Sequence, residues 1–80
     1  MTKIERKRCE KLVEEAERNL ENSDLEYSKY ERLKKEEEKI DAECALRNAD
    51  QLRGYAEGIY QALVVIGYSS ASMEELTERI

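Results

Sequence analysis

Apolar residues recur at helical spacing near the start of the chain. Cys9, Val13, Ala16 and Leu20 follow one another at intervals of four, three and four residues. This spacing places all four side chains on one stripe of an α-helix. We therefore predict an amphipathic first helix over residues 3–21.

The segment ENSDLEY carries the signals of a turn between two helices. Asn22 can end the first helix, and Ser23 can cap the next, with Glu26 three residues later completing a capping box. An alternative stays open, because Ser23, Tyr27 and Tyr30 continue the heptad phase of the first stripe and no Gly or Pro enforces a break. We predict a turn near Ser23, with one uninterrupted helix as the alternative.

A strict heptad repeat follows in the second half of the chain. Apolar residues recur every seven positions in two sets, which are Ala42, Ala49, Ala56 and Leu63, and Ala45, Leu52, Ile59 and Ile66. Four successive heptads are typical of a coiled coil. Gly67 then supplies the residue that a left-handed helix terminus favours. The pattern predicts one long helix over residues 24–66.

The last residues predict a short third helix over residues 73–80. Ser72 and Glu75 have the spacing of a capping box after the loop SSAS. Met73 and Leu76 lie on one apolar face, and so short a helix is not stable unless that face is buried. We expect this helix to fold back across the two glycines of the long helix, Gly54 and Gly58.

These elements predict an all-α single domain over residues 1–80, built as an antiparallel helical hairpin with one long coiled-coil helix and a short C-terminal helix. A hairpin turning near Ser23 covers the long helix only as far as about residue 42, so the rest of the heptad stripe would stay exposed. We therefore predict self-association as a homodimer or higher oligomer. The expected interface residues are Ala42, Ala45, Ala49, Leu52, Ala56, Ile59, Leu63 and Ile66.

The stretch GYAEGIYQALVVIGY contains a single charged residue, Glu57, in a chain of which 41% is charged. Two interpretations fit it, namely tight packing inside an oligomer or an apolar surface that binds another protein. Tyr is enriched at protein interfaces, and glycines allow close approach of a partner. The candidate partner-binding residues are Tyr55, Gly58, Tyr60, Met73 and Leu76.

Composition limits the chemistry of the chain. The net charge of −5 comes without a segregated basic face, which disfavours binding to nucleic acid. No apolar run is long enough for a transmembrane helix, and no leader is visible, so we expect a cytoplasmic protein without a membrane partner. The chain has two cysteines, no histidine and no nucleophile or phosphate-loop motif. We expect no metal, no cofactor and no enzymatic activity.

The run AEGIYQALVVIGY, followed by a short capped helix, resembles the ending of small helical proteins of phages and mobile elements of Gram-positive bacteria. The resemblance covers about a quarter of the chain and transfers no functional residue. Such proteins include inhibitors of bacterial defence systems, among them anti-CRISPR proteins. The resemblance thus implies a non-enzymatic interaction protein that occludes a host protein complex. Two alternatives are a small-nucleotide-sequestering protein, for which only Arg47 and Arg53 would be available, and a purely structural coiled coil.

Overall fold

A computed structural model describes all 80 residues and contains three α-helices, α1 over Lys3–Lys35, α2 over Lys39–Val65 and α3 over Ala71–Arg79. The two long helices pack against each other as an antiparallel hairpin, which makes the chain a rod of 52 × 16 × 16 Å. The predicted fold class is confirmed: the chain is all-α, with a helical hairpin and a short C-terminal helix.

The turn of the hairpin lies at Glu36–Glu38, so the prediction of a turn near Ser23 is wrong. The first helix does not stop at residue 21, and the second helix does not begin at residue 24. At the observed turn, Glu37 adopts a positive φ of 62°, and the Glu38 N–H donates to the carbonyl of Leu33 at 2.9 Å. A turn at this place lets the two apolar stripes face each other along their full length.

Ser23 is a buried residue in the middle of α1. Its hydroxyl donates a hydrogen bond of 2.7 Å to the carbonyl of Ala49 on α2, which satisfies the hydroxyl within the helix interface. The alternative of an uninterrupted helix is therefore correct at this position. The bond also defines the register: residues whose numbers add up to about 72, as those of Ser23 and Ala49 do, lie side by side.

The first heptad set of α2 forms the seam with α1. Its members are all buried, and they are Ala42, Ala49, Ala56 and Leu63. Part of the predicted oligomer interface is thus the intramolecular contact of the hairpin. The prediction that residues 42–66 are left uncovered by the first helix is wrong, because α1 is long enough to cover α2 down to its end.

The second heptad set rotates out of that seam along the helix. Ala45 is buried, Leu52 and Ile59 are half-buried, and Ile66 is 57% exposed. An α-helix with 3.6 residues per turn drifts by about 20° per heptad relative to a strict seven-residue repeat. The drift carries the later members of this set towards one side of the hairpin.

The end of α2 agrees with the prediction from Gly67. The helix ends at Val65, Gly67 has a φ of 76°, and the Tyr68 N–H donates to the carbonyl of Leu63 at 3.0 Å. A second bond, from the Gly67 N–H to the Val64 carbonyl, completes a Schellman motif. The chain reverses here, and the Tyr68 ring is buried in the same core cluster as Leu63.

The third helix begins two residues earlier than predicted, because Ser70 and not Ser72 is its N-cap. The Ser70 hydroxyl accepts from the Met73 N–H at 3.1 Å. The helix packs mainly beside α1, and an ion pair of 3.8 Å joins Arg79 to Asp24. The expectation that this helix covers the glycines of α2 is wrong, since nothing lies within 4 Å of a Cβ built on either glycine.

The core is divided between the two ends of the hairpin. Near the chain termini, where α3 joins α1 and α2, a cluster of nine buried residues comprises Cys9, Val13, Ala16, Leu20, Ala56, Leu63, Tyr68, Met73 and Leu76. Near the turn, a cluster of three comprises Leu33, Ala42 and Ala45, with Tyr30 packed against it. Most burial therefore occurs at the three-helix end.

Candidate protein-binding groove

One side of the three-helix end is open. The third helix covers one side of the hairpin, and a shallow apolar groove runs along the other side. We call it the groove; it has a volume of about 370 Å³ and is lined by Leu12, Gly54, Tyr55, Gly58, Ile59 and Ala62. Five of these six residues belong to α2, and Leu12 is the contribution of α1.

The position of each groove residue follows from the helix geometry. Tyr55, Gly58 and Ala62 succeed one another at intervals of three and four residues, so they form one stripe of α2. Because the second heptad set rotates out of the seam along α2, Ile59 lies at the edge of the same stripe. Leu12, which is 39% exposed, stands opposite Tyr60 in the register and forms the other wall.

The two glycines keep the floor of the groove low. An added Cβ at Gly54 or Gly58 would meet no other atom within 4 Å. Packing within this chain therefore gives no reason for a glycine at either place. Each glycine in a helix interior costs about 1 kcal/mol relative to alanine. A partner that approaches the α2 backbone closely would account for both residues.

The open stripe of α2 lacks charge over its whole length. Its members are Cys44, Asn48, Gln51, Tyr55, Gly58, Ala62 and Val65. Tyr55 is 58% exposed and Val65 is 85% exposed, while the side-chain amide of Gln51 donates to the Tyr55 hydroxyl at 3.4 Å. An uncharged, partly aromatic strip in a chain rich in charge is typical of a protein contact surface.

A more polar depression of about 310 Å³ continues the groove beyond Tyr55. It is lined by Glu26, Asn48, Gln51, Leu52 and Tyr55. One carboxylate oxygen of Glu26, Oε2, is buried there without a hydrogen-bond partner. A ligand that fills the groove could therefore also find a hydrogen-bond acceptor at this end.

The predicted partner-binding residues separate into two groups. Tyr55 and Gly58 lie in the groove, as a surface site requires. Met73 and Leu76 do not form a surface, because they are buried in the core and attach α3 to the hairpin. Tyr60 faces α3, where its hydroxyl lies 3.2 Å from that of Thr77. These three residues pack within the chain, and their part in partner binding stays a prediction.

The residues predicted for the oligomer interface also fall into two groups, one buried within the chain and one at its surface. Ala42, Ala45, Ala49, Ala56 and Leu63 are buried inside the chain, so they are not available to another copy without opening the hairpin. Only the second heptad set reaches the surface, with Ile59 at the groove and Ile66 beyond its end. Leu12 was not identifiable as a residue of the groove, because its place there depends on the register between α1 and α2.

The contact between Tyr68 and Glu10 fixes α3 on the side away from the groove. The Tyr68 hydroxyl donates to Glu10 Oε1. This hydrogen bond, followed by one from Ser70, holds the pKa of Glu10 below its ordinary value of 4.5, because hydrogen bonds to the charged form favour it. The same bond raises the pKa of Tyr68, because the Glu10 carboxylate accepts from the hydroxyl and so favours its protonated form.

Another depression lies near the turn of the hairpin. It has a volume of about 490 Å³ and is lined by Tyr27, Tyr30, Glu31, Lys34 and Lys35. The two tyrosine rings are 5.7 Å apart, and the Lys34 ammonium lies 5.8 Å from the centre of the Tyr30 ring. Charged side chains account for three of its five lining residues, so it is less suited than the groove to an apolar partner.

Neither a metal centre nor a membrane span is present in this fold. No three Cys, Asp or Glu side chains are grouped in a way that could hold a metal ion. None of the helices combines the length and the apolar character needed to cross a bilayer. Arg53, which the nucleotide alternative would require, bonds to Glu57 at 3.2 Å on an exposed part of α2.

Comparisons with known proteins do not assign the chain to a family. No protein-family model matches it, and no curated protein or solved structure is significantly similar to it.

Proposed function

We propose that this chain is a non-enzymatic protein-interaction module that binds an α-helix in the groove. The observation that carries the proposal is the open glycine floor between Leu12 and Tyr55, which nothing in the chain itself covers. An amphipathic helix buries its apolar face in such a groove through residues spaced by three and four positions.

The chemistry of the groove suits a helix better than a small molecule. The groove is shallow and open, with leucine, isoleucine and tyrosine side chains along its walls. Small-molecule sites are usually concave enough to bury most of the ligand surface. Tyr55 is the expected hot spot, since a tyrosine at the centre of an apolar contact often contributes a large share of the binding energy.

A narrower form of the proposal concerns the biological role. The groove includes Gly58, Ile59 and Ala62, which belong to the run AEGIYQALVVIGY that resembles mobile-element proteins. We propose that the chain acts in the cytoplasm as an inhibitor that occludes a host defence complex. The free thiols of Cys9 and Cys44 are compatible with a reducing compartment.

Site-specific photo-crosslinking tests the proposal. A photoreactive phenylalanine analogue at position 55 should crosslink to a helical segment identified by mass spectrometry, whereas the same analogue at Gln61, an exposed position outside the groove, should not. Gly58→Leu should abolish the crosslink by filling the floor. Its Cβ meets no neighbour, so the fold should persist, which circular dichroism would verify.

Two outcomes would contradict the proposal. One is crosslinking of equal yield from positions 55 and 61, which would mean that contacts form without preference for the groove. The other is a crosslink from position 55 that Gly58→Leu leaves unchanged, which would mean that the glycine floor is not part of the contact.

A further inference from the structure

We propose that the helix bound in the groove carries a basic side chain, arginine or lysine, which pairs with Glu26 about two turns away from the residue that packs on Gly58. This inference rests on the proposed function and names the chemistry of the partner. It starts from the buried Oε2 atom of Glu26, which has no hydrogen-bond partner within the chain.

This oxygen differs from every other buried polar side-chain atom of the chain. Glu26 Oε2 is the one buried side-chain oxygen or nitrogen without a hydrogen-bond partner. The buried hydroxyl of Ser23, three residues earlier on α1, donates to the Ala49 carbonyl at 2.7 Å. Buried polar atoms in proteins are nearly all hydrogen-bonded, and a carboxylate without a donor costs free energy. Glu26 therefore lies where a donor from outside the chain would lower the free energy.

The position of Glu26 makes it accessible to a helix in the groove. Its half-buried side chain lines the polar depression together with Asn48, Gln51, Leu52 and Tyr55. Tyr55 also lines the groove, so the two depressions adjoin. The terminal torsion of a glutamate side chain has a broad range, and a rotation about it can turn Oε2 towards a donor in the depression. A helix that extends past Tyr55 thus comes within reach of this carboxylate.

The chain itself provides no cation for Glu26. Its ion pairs are Arg53–Glu57 and Arg79–Asp24. None of the five residues that line the polar depression is basic. Lys29 and Arg47, the basic residues nearest to this level on the two long helices, are exposed and form no ion pair. The polar depression is therefore negative and open to the positive charge of a partner.

The wall that α1 contributes changes in charge along its length. Leu12 lines the groove, and Glu26 lines the polar depression. The residues between them that share their stripe, at intervals of three and four, are Glu15, Asn19 and Asn22. Arg8 precedes Leu12 by one turn. This wall is thus basic beyond one end of the groove and acidic towards the other, which favours a partner helix whose basic residue lies at the Glu26 end.

The pairing would select among helices because a bound helix removes water from Glu26. A carboxylate that loses its water is costly unless it is paired and hydrogen-bonded. The planar guanidinium of arginine can donate two hydrogen bonds to one carboxylate, and the lysine ammonium supplies a compact charge. An apolar or acidic residue at the same position would leave Glu26 unpaired. The site therefore discriminates against such helices.

The distance between the groove and the polar depression sets the spacing of the partner residues. Gln51 lies midway along the α2 side of the polar depression, between Asn48 and Tyr55. Gly58 follows Gln51 by seven residues, which corresponds to about 10 Å along the helix axis. A partner helix that lies along α2 has the same rise per residue. Its basic residue should therefore stand about seven positions from the residue that packs on Gly58.

Selection from a displayed library of amphipathic helices tests this chemistry. Each helix has about 20 residues, with leucine at its centre and random residues about seven positions before and after it. Selection on the complete wild-type chain should enrich arginine and lysine by more than about fivefold at one of the two random positions. Selection on Glu26→Gln should not. The matched control is Glu21→Gln, which removes the same charge from an exposed position of α1 outside both depressions and should preserve the enrichment.

Titration calorimetry with one selected helix tests the pair itself. Replacing the basic residue of that helix by glutamine should weaken its binding to the wild-type chain by about tenfold, because a hydrogen bond to a charged group is lost. The Glu26→Gln chain should bind both helices with nearly equal affinity, which is the sign of direct coupling between the two residues. An equal loss of affinity in both chains would overturn the pairing.

The outcomes of the selection separate this inference from the proposed function. Helices without a basic preference would overturn the inference, as would a preference that Glu26→Gln leaves unchanged or that Glu21→Gln removes equally. If those helices still lose their binding in Gly58→Leu, the proposed function stands with a partner of different chemistry. If no helix binds, or if Gly58→Leu does not weaken binding, both the inference and the proposed function fail.

Discussion

Both long helices end in a Schellman motif, but the two ends of the hairpin differ in what stabilises that motif. At the three-helix end, Gly67 occupies the left-handed position with a φ of 76°, and the adjoining cluster contains nine buried residues. At the turn, Glu37 occupies it with a φ of 62°, beside a cluster of three. The end of α2 follows from the conformational freedom of glycine, which is a local property. At the end of α1, the pairing of the two helices imposes the same backbone conformation on a glutamate.

The comparison indicates that stability is concentrated away from the turn. The three-helix end buries large side chains such as Leu63 and Leu76 completely. The cluster at the turn has alanine at two of its three positions. A left-handed conformation costs a residue with a side chain roughly 1–2 kcal/mol. The turn should therefore open more readily than the other end, and the groove is built on the more stable part of the molecule.

The largest expected difference comes from truncating one leucine at each end. Leu63→Ala should lower the free energy of unfolding by about 3–4 kcal/mol, near the upper part of the usual range for a completely buried leucine. Leu33→Ala, at a site that is 9% exposed and adjoins two alanines, should cost about 2 kcal/mol. Urea unfolding followed by circular dichroism would measure both, and equal losses would contradict the comparison.

Gly67→Ala should be the next largest effect, with a loss of about 1 kcal/mol. The substitution adds a Cβ to a residue with a φ of 76°, where no neighbouring atom would clash with it. The loss would thus arise from the backbone conformation and not from crowding. The control is Gly54→Ala, which has equally free space but lies within a helix and should stabilise the monomer. A Gly67→Ala variant as stable as the wild type would contradict the assignment.

Ser23→Ala tests the hydrogen bond that joins α1 to α2 in the middle of the hairpin, between the two buried clusters. It removes the 2.7 Å hydrogen bond to Ala49 and should lower the free energy of unfolding by about 1 kcal/mol. The Ala49 carbonyl lies inside α2 and keeps its helical partner, so a larger loss is not expected. Ser28→Ala, at an exposed position of the same helix, is the control and should have little effect. Thermal or urea unfolding would measure both variants.

Glu37→Gly should stabilise the chain by about 0.5–1 kcal/mol. The glycine removes the steric cost of a φ of 62° at the turn, although it also increases the freedom of the unfolded chain. Hydrogen exchange should show slower opening of the residues around the turn. A loss of stability would mean that the Glu37 side chain contributes more to the turn than its backbone conformation costs.

The smallest effect concerns pH at the three-helix end. The folded pKa of Glu10 lies below 4.5, so its contribution to stability is fully present above that value and is lost as the pH falls through the folded pKa. Tyr68→Phe removes the main cause and should raise the pKa of Glu10 towards 4.5. Carbon-detected NMR titration would measure it, with Tyr27→Phe near the turn as a control. An unchanged pKa would contradict the assigned contact.

Some features that sequence inspection can locate depend on local chemistry alone. The stop of α2 before Gly67 follows from the one residue that adopts a positive φ without steric cost. The start of α1 belongs to the same class: Thr2 and Glu5 form a capping box in which the Glu5 N–H donates to the Thr2 hydroxyl at 3.1 Å. Tyr55 and Gly58 could likewise be placed on a weakly charged surface, because the stretch around them contains a single charged residue, Glu57.

Other features could not be located in this way. ENSDLEY has the cap residues of a turn, yet Ser23 bonds across the hairpin, while the true turn at Glu36–Glu38 has no Gly, Pro or Asn. Met73 and Leu76 look equally suited to a partner or to the core until their neighbours are known. Leu12 acquires its role only when the register places it across from α2.

The sequence by itself determined the helical character of the chain, the heptad seam of α2 and the position where α2 stops, because spacing and backbone conformation are local properties. Only the tertiary structure decided where the hairpin turns and which side stays open. A turn at Glu36–Glu38 buries the stripe of α1 against the stripe of α2 over their full length, and this gain exceeds the local preference for a break at Ser23. The groove exists because α3 packs on the other side of that pair.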